Sequence, residues 1–198
     1  MGKGELTRQA ILERGLSLAS RVGIEGLTIG ALAETLKLSK SGLYAHFKSK
    51  EALQLQVLDL AIERFTEVAV KPALAAPRGE PRVRALFDRW FRWVHDSRLA
   101  GCPFVALATE LDDRPGAVRE RLVQAQKDWL DVIANGFRTG ISEGHFRANA
   151  DPDQFAQDLY GIYLAHHHAA RLLRDPKSEK RARAAFEALL RAVRTKAA

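Results

Sequence analysis

The stretch LTIGALAETLKLSKSGLYAHFKSKE, residues 27–51, is the most informative part of this chain. It predicts two short amphipathic helices with a tight turn between them. Thr28 caps the first, over roughly 28–36, with Ile29, Leu32, Ala33 and Leu36 at helical spacing. Lys37, Leu38 and Ser39 make the turn. The second covers about 40–46 and turns Leu43 and Phe47 toward a core. It opens on Ser39, Lys40, Ser41 and Gly42, a run of small donors without bulk. Gly42 lets a backbone come close to DNA. Tyr44 and His46 carry polar-tipped rings, Lys48 and Lys50 add charge, and Ser49 caps the helix that follows.

Docking in a major groove needs a short helix to enter it, a first helix braced across the backbone, and phosphate anchors to fix the angle. Helix N-termini supply free N–H groups for phosphate. The candidate DNA-binding residues are therefore Thr28, Ser39, Lys40, Ser41, Gly42, Tyr44, His46, Lys48 and Lys50. Plainer readings stand beside these. Lys48 and Lys50 also suit a solvated face, Tyr44 half-buried packing, and His46 an ordinary surface site.

Outward from this stretch the pattern stays helical. Thr7 is placed to cap a first helix carrying Ile11, Leu12, Leu16, Ala19 and Val22 on one face, with Gly23 as its left-handed stop. A long fourth helix runs from about Lys50 to Val70. Pro72, Pro77, Gly79 and Pro81 mark a linker. Further helices are predicted over about 81–96, up to Leu111, and over about 116–143, 151–173 and 178–194. The chain thus reads as all-α, with about nine helices.

Composition agrees. Of 198 residues, 46% are hydrophobic and 28% charged, and the net charge is +7, which permits nucleic acid without proving it. Residues 1–50 carry eight Lys or Arg against four Glu, and residues 171–198 carry nine against three, so the middle is slightly acidic. One cysteine, Cys102, excludes an internal disulfide and suits a reducing cytoplasm. It is either a structural thiol or an oxidant sensor. No apolar run approaches the roughly 20 residues that span a bilayer.

The spacing Gly-Ile-Glu-Gly-Leu-Thr at 23–28, then Leu-Ala-x-x-Leu-x-Leu-Ser-Lys-Ser-Gly-Leu-Tyr-x-His-Phe-Lys-Ser-Lys-Glu-Ala-Leu at 32–53, resembles the N-terminal domain of the TetR family of transcriptional regulators. The resemblance covers about residues 7–60. It implies a three-helix helix-turn-helix DNA-binding head at residues 1–50, with the motif at 28–47, a connecting fourth helix, and a ligand-binding, dimerising helical body within 51–198. By that resemblance Thr28, Lys40, Ser41, Gly42, Tyr44, His46 and Lys50 stand where the family contacts DNA. The family often has Ala-Gly-Val at the turn, and this chain has Leu36, Lys37 and Leu38 there. Gly-Cys-Pro-Phe at 101–104, followed by Ala-x-x-x-Glu-Leu at 106–111, looks like the body of one subgroup.

Trp90, Phe91, Phe104, Trp129, Phe137 and Tyr163 lie on helices expected to converge on one core. They read either as core packing or as the lining of a pocket for an apolar or aromatic small molecule. The last two helices carry wide apolar stripes, and a dimeric four-helix bundle would bury them. Leu159, Leu164, His167, Phe186 and Leu190 are the candidate dimer contacts. His166, His167 and His168 point about 100° apart on a helix and cannot together chelate one ion. No metal site and no cofactor is expected.

Glu110, Asp112 and Asp113 sit before a turn. No Ser/His/Asp order, Glu-x-x-His spacing or phosphate loop accompanies them, so no enzymatic activity is expected. The expected function is a ligand-responsive, cytoplasmic regulator, a repressor. A homodimer binds double-stranded DNA at a near-palindromic operator and leaves it when a small molecule binds. The alternative is a helical DNA-binding or architectural protein without an effector.

Overall fold

The computed structural model describes residues 8–195. The cap expected from Thr7 lies outside them. Every regular element among the described residues is helical, apart from an isolated antiparallel bridge between Phe146 and Arg194. The all-α expectation holds.

The described chain forms two compact units. One comprises Met1–Phe65, described from residue 8, with Val94–Ala125. In it α1, Arg8–Val22, buries Ile11, Leu16 and Ala19. Val22, expected on that face, is instead 51% exposed. Gly15 lets α1 come close to α4, because a Cβ there would lie 2.9 Å from Val57 Cγ2. α2 is Ile29–Leu36, α3 is Lys40–Phe47 and α4 is Lys50–Phe65. The caps expected at Thr28 and Ser49 are formed, and Ser39, expected as a turn residue, caps α3 as well. Thr28 Oγ1 accepts from Ala31 N at 3.0 Å, Ser39 Oγ from Gly42 N at 3.1 Å, and Ser49 Oγ from Ala52 N at 3.0 Å. α7, Pro103–Leu111, belongs to the same unit and buries Phe104, Val105, Leu107 and Leu111.

The other unit comprises Thr66–Trp93 and Gln126–Ala198, described to residue 195. A π turn, Thr66–Val70, leads straight from α4 into α5, Lys71–Leu74. Counting this run once, the described residues hold nine helical runs. Pro72 therefore does not open a linker. It sits two residues after the π turn, within this continuous run. α6 is Glu80–Val94, α8 Ala117–Ser142, α9 Pro152–Arg171 and α10 Ser178–Val193. The core of this unit is aromatic. Phe87 stacks on Phe186 at 4.0 Å and Trp90 on Tyr163 at 4.2 Å. Phe137 stacks on Phe146 at 4.4 Å and on Phe155 at 4.2 Å.

Two expectations change here. Leu159, Phe186 and Leu190, expected on a dimer interface, are all buried within the single chain. The face-to-face Phe87–Phe186 pair, and the Arg84–Glu187 ion pair beside it, seat α10 against α6 and close that stripe from within. Of the five candidates, Leu164 remains exposed and His167 half-buried. The aromatic set is also divided between the two units. Phe104 packs edge-on against Phe65 in the first unit at 5.6 Å, and Phe137 belongs to the Phe146–Phe155 group.

Candidate nucleic-acid interface

Of the eight residues of α3, only Leu43 and Phe47 are buried. The other six, with Ser39 before them and Lys48 after, face solvent, and Tyr44 is 59% exposed. A helix packed for stability alone shows a wider apolar stripe. This one is held by two side chains and presents everything else. Ser41 Oγ lies 3.3 Å from Ser39 Oγ, which gathers two hydroxyls at the start of the helix. Gly42 keeps that start low, since a Cβ there would meet only Ser39 Oγ, at 3.0 Å. Thr28 and Gly30 bring the start of α2 next to α3, with Lys40 Nζ 3.8 Å from the position of a Cβ on Gly30.

Among the described residues none of Lys37, Lys40 and Lys48 is paired with a carboxylate. Lys37 was not among the candidates. It occupies the left-handed region, φ 54°, as the C-cap of α2. Its N–H there closes onto the carbonyls of Ala33 and Glu34. This is the position at which the related turns carry glycine, so the missing glycine leaves the turn intact, with its backbone in a region costly to a lysine.

Lys50 differs from the other lysines. Its Nζ donates to Glu25 Oε2 at 2.8 Å, and Arg114 approaches the same oxygen at 3.8 Å. The Lys50 ammonium, by its hydrogen bond, holds the Glu25 carboxyl below the usual range. Nothing in the sequence pattern separates Lys50 from Lys48, because Glu25 reaches it from another helix junction.

A family model of bacterial regulatory proteins, tetR family, matches residues 11–57, and one of tetracyclin repressor-like C-terminal domains matches residues 79–186. The chain belongs to the TetR family. A TetR transcriptional regulator from Chloroflexus aurantiacus has the same fold, with TM-score 0.84 and 28% identity over 99% of this chain and 100% of that one. The transcriptional repressor NemR of Escherichia coli is 23% identical over 175 residues, 85% of each chain. AibR, solved with isovaleryl coenzyme A and operator DNA, shares the fold at TM-score 0.73 and 22% identity, over 92% of this chain and 97% of that one. With both family domains present, this TetR-family chain is a ligand-responsive transcriptional repressor, which the architectural alternative does not match. No helix among the described residues is long and apolar enough to cross a membrane.

In the body, Tyr163 is the hub of the remaining aromatic candidates. Trp90 stacks on it, Trp129 lies 6.4 Å away, and Phe91 meets Trp90 edge-on at 5.2 Å. The Tyr163 hydroxyl is fully buried and makes no hydrogen bond among the described residues. Burial, then the charge of Asp88, pushes its pKa well up, so it stays a neutral donor. His166 packs its ring edge-on to Phe91 at 4.9 Å. The pKa of His167 is lowered, by burial first and then by Arg171, His166 and His168. Cys102 is buried.

Proposed function

We propose that two copies of this chain bind a near-palindromic duplex, each inserting α3 into a major groove. Thr28, Ser39, Ser41, Tyr44, His46 and Lys48 anchor phosphates, Lys40 reaches base edges, and Gly42 allows close approach. The supporting observation is the exposed polar row of α3 with Lys37, Lys40 and Lys48 left unpaired among the described residues. A helix of eight residues reads only a few base pairs, so specificity needs the second copy. The head, residues 1–50, acts as the reader, and residues 51–198 dimerise and bind the effector.

Leu164 and His167, on the accessible side of α9, are the dimer contacts that remain. The effector is an apolar or aromatic small molecule lodged against Trp90, Phe91, Trp129 and Tyr163. It parts the stacked Trp90–Tyr163 faces and accepts from the buried Tyr163 hydroxyl, which has no hydrogen-bond partner among the described residues. Phe137 supports this lining from the Phe146–Phe155 cluster of the same unit. Release of DNA follows if the ligand prefers the body geometry that disfavours docking, a coupling of about 1–3 kcal/mol.

The test is selection of duplexes by the purified protein from a randomised pool, followed by titration at several salt concentrations. A recovered inverted repeat, bound with a steep salt dependence, is the expected result. Recovery of no consensus, or binding by a monomer, would overturn the reading. A thermal-shift screen of small apolar and aromatic compounds, repeated with the selected duplex present, identifies an effector as one that stabilises the protein and displaces DNA.

A further inference from the structure

Glu110, the penultimate residue of α7, reaches the loop that joins α1 to α2. Its Oε2 accepts from the Ile24 N–H at 2.8 Å, and its Oε1 from the Glu25 N–H at 2.7 Å. Two successive N–H groups after a left-handed residue make an anion-binding concavity, and here the chain's own carboxylate fills it. Gly23 supplies that conformation at φ 80°. It also supplies the room, because a Cβ on Gly23 would lie 2.5 Å from Glu110 Oε2. Residue 23 is therefore glycine for two separate reasons.

The same loop is fastened twice more, from α4. Gln54 Nε2, buried, donates to the Ile24 carbonyl at 2.6 Å, and Lys50 pairs with Glu25. Ile24 and Leu27 are buried, and Thr28, which caps α2, follows directly. The segment ahead of α7 is tied to α1 as well, through the Ala100 N–H and Ser20 Oγ at 3.0 Å. α7 is thus held to the head at both ends. Of the three carboxylates near its C-terminus, only Glu110 makes this contact, since Asp112 and Asp113 are exposed and Asp112 accepts from the Asp113 N–H.

We propose that Glu110 is a positioning residue for DNA binding: by fastening the α1–α2 loop to α7 it sets where α2 and α3 stand. This rests on the DNA-binding reading above. Charge-assisted hydrogen bonds to two adjacent amides are strong and directional. A slide of α7 by about an ångström cannot keep both within bonding range. The position of α7 and the entry of α2 are therefore set together, and any shift of α7 reaches the reading helix through this carboxylate.

The experiment compares wild type, Glu110→Ala and Glu110→Gln in the full chain. It measures affinity for a duplex selected by the wild type and for a random duplex, together with amide hydrogen exchange at Ile24 and Glu25. Helicity and Tm are recorded alongside. The expected result for Glu110→Ala is a roughly tenfold loss of preference for the selected duplex over the random one, with faster exchange at both amides. Glu110→Gln keeps an acceptor oxygen and recovers part of that preference; if Glu110→Ala loses helicity, Glu110→Gln carries the comparison alone. A loss of Tm with the preference intact, or unchanged exchange at Ile24 and Glu25, overturns the proposal while leaving DNA binding in place. A wild type that selects no duplex overturns the DNA-binding reading itself, and the proposal with it.

Discussion

The Lys50 ammonium donates to the Glu25 carboxylate at 2.8 Å, so a lysine that the motif places on a phosphate already has an anion of its own. DNA must displace Glu25 to use it, or must accept a site whose charge is largely cancelled. Glu25→Gln removes the competing charge and leaves the backbone N–H that Glu110 holds. It is expected to tighten binding to any duplex and to steepen the salt dependence by up to about one unit. Lys48→Ala is expected to flatten that dependence by about one unit, and Lys50→Ala by clearly less. Anisotropy titrations across salt concentrations measure all three. Equal slopes for Lys48→Ala and Lys50→Ala would show that Glu25 gives way without cost.

Lys37 carries a left-handed backbone at φ 54° in the turn of the motif. A side chain there is disfavoured by about 1 kcal/mol. Lys37→Gly is expected to raise stability by roughly 0.5–1 kcal/mol, the reverse of placing a side chain at a positive φ. It also removes one unpaired cation near α3, so DNA affinity falls as stability rises. Chemical denaturation and DNA titration of the same variant give both signs. A fall in stability would show that the Lys37 side chain contributes more than its backbone costs.

Glu80 ties the start of α6 to the end of α10. It accepts from Arg194 Nε at 2.7 Å and from Arg84 Nε at 2.8 Å, and its pKa is held at about 2 against an ordinary 4.5. Arg194 is the larger cause, then Arg84. A carboxyl lowered on folding stabilises above its unfolded pKa. That contribution is complete above about pH 4.5 and is lost as the pH falls toward 2. With a side chain only 17% exposed, it amounts to at most roughly 3 kcal/mol. Acid denaturation followed by circular dichroism is expected to show this limb in the wild type and a shallower one in Glu80→Gln, which is less stable at neutral pH.

Leu164 and Leu190 are expected to separate assembly from folding. Leu164 stands 40% exposed on α9, and Leu190 is fully buried on α10. Leu164→Glu is expected to shift the protein toward monomer in sedimentation velocity while its helicity is kept. Leu190→Ala leaves a cavity inside one chain and is expected to cost about 2–5 kcal/mol of folding stability. A Leu164→Glu dimer of wild-type affinity would move the interface elsewhere.

The head was legible in the sequence because its signals are local. Thr28 and Ser49, read as caps, each satisfy an N–H three residues on, and the turn residue Ser39 does the same. The order of helices and the exposed donors of α3 follow from the same short-range rules. The body was legible only as helices. A wide apolar stripe at helical spacing says that a face is covered but not by what. Phe87 of α6 covers Phe186, so residues that looked ready for a second subunit are core. Likewise six aromatics on amphipathic helices did not reveal that Phe104 packs on Phe65 in the first unit and Phe137 on Phe146 and Phe155 in the second.

By itself the sequence determined an all-helical chain with a DNA-docking head at its front, because capping, turn chemistry and apolar period act within a few residues. Only the tertiary structure decided which charges are committed and which remain free. Glu25 and Lys50 are 25 residues apart, and Glu110 lies 85 residues from the Glu25 amide it holds. Hydrogen bonds of that separation depend on how α1, α4 and α7 pack, and no local pattern carries that information.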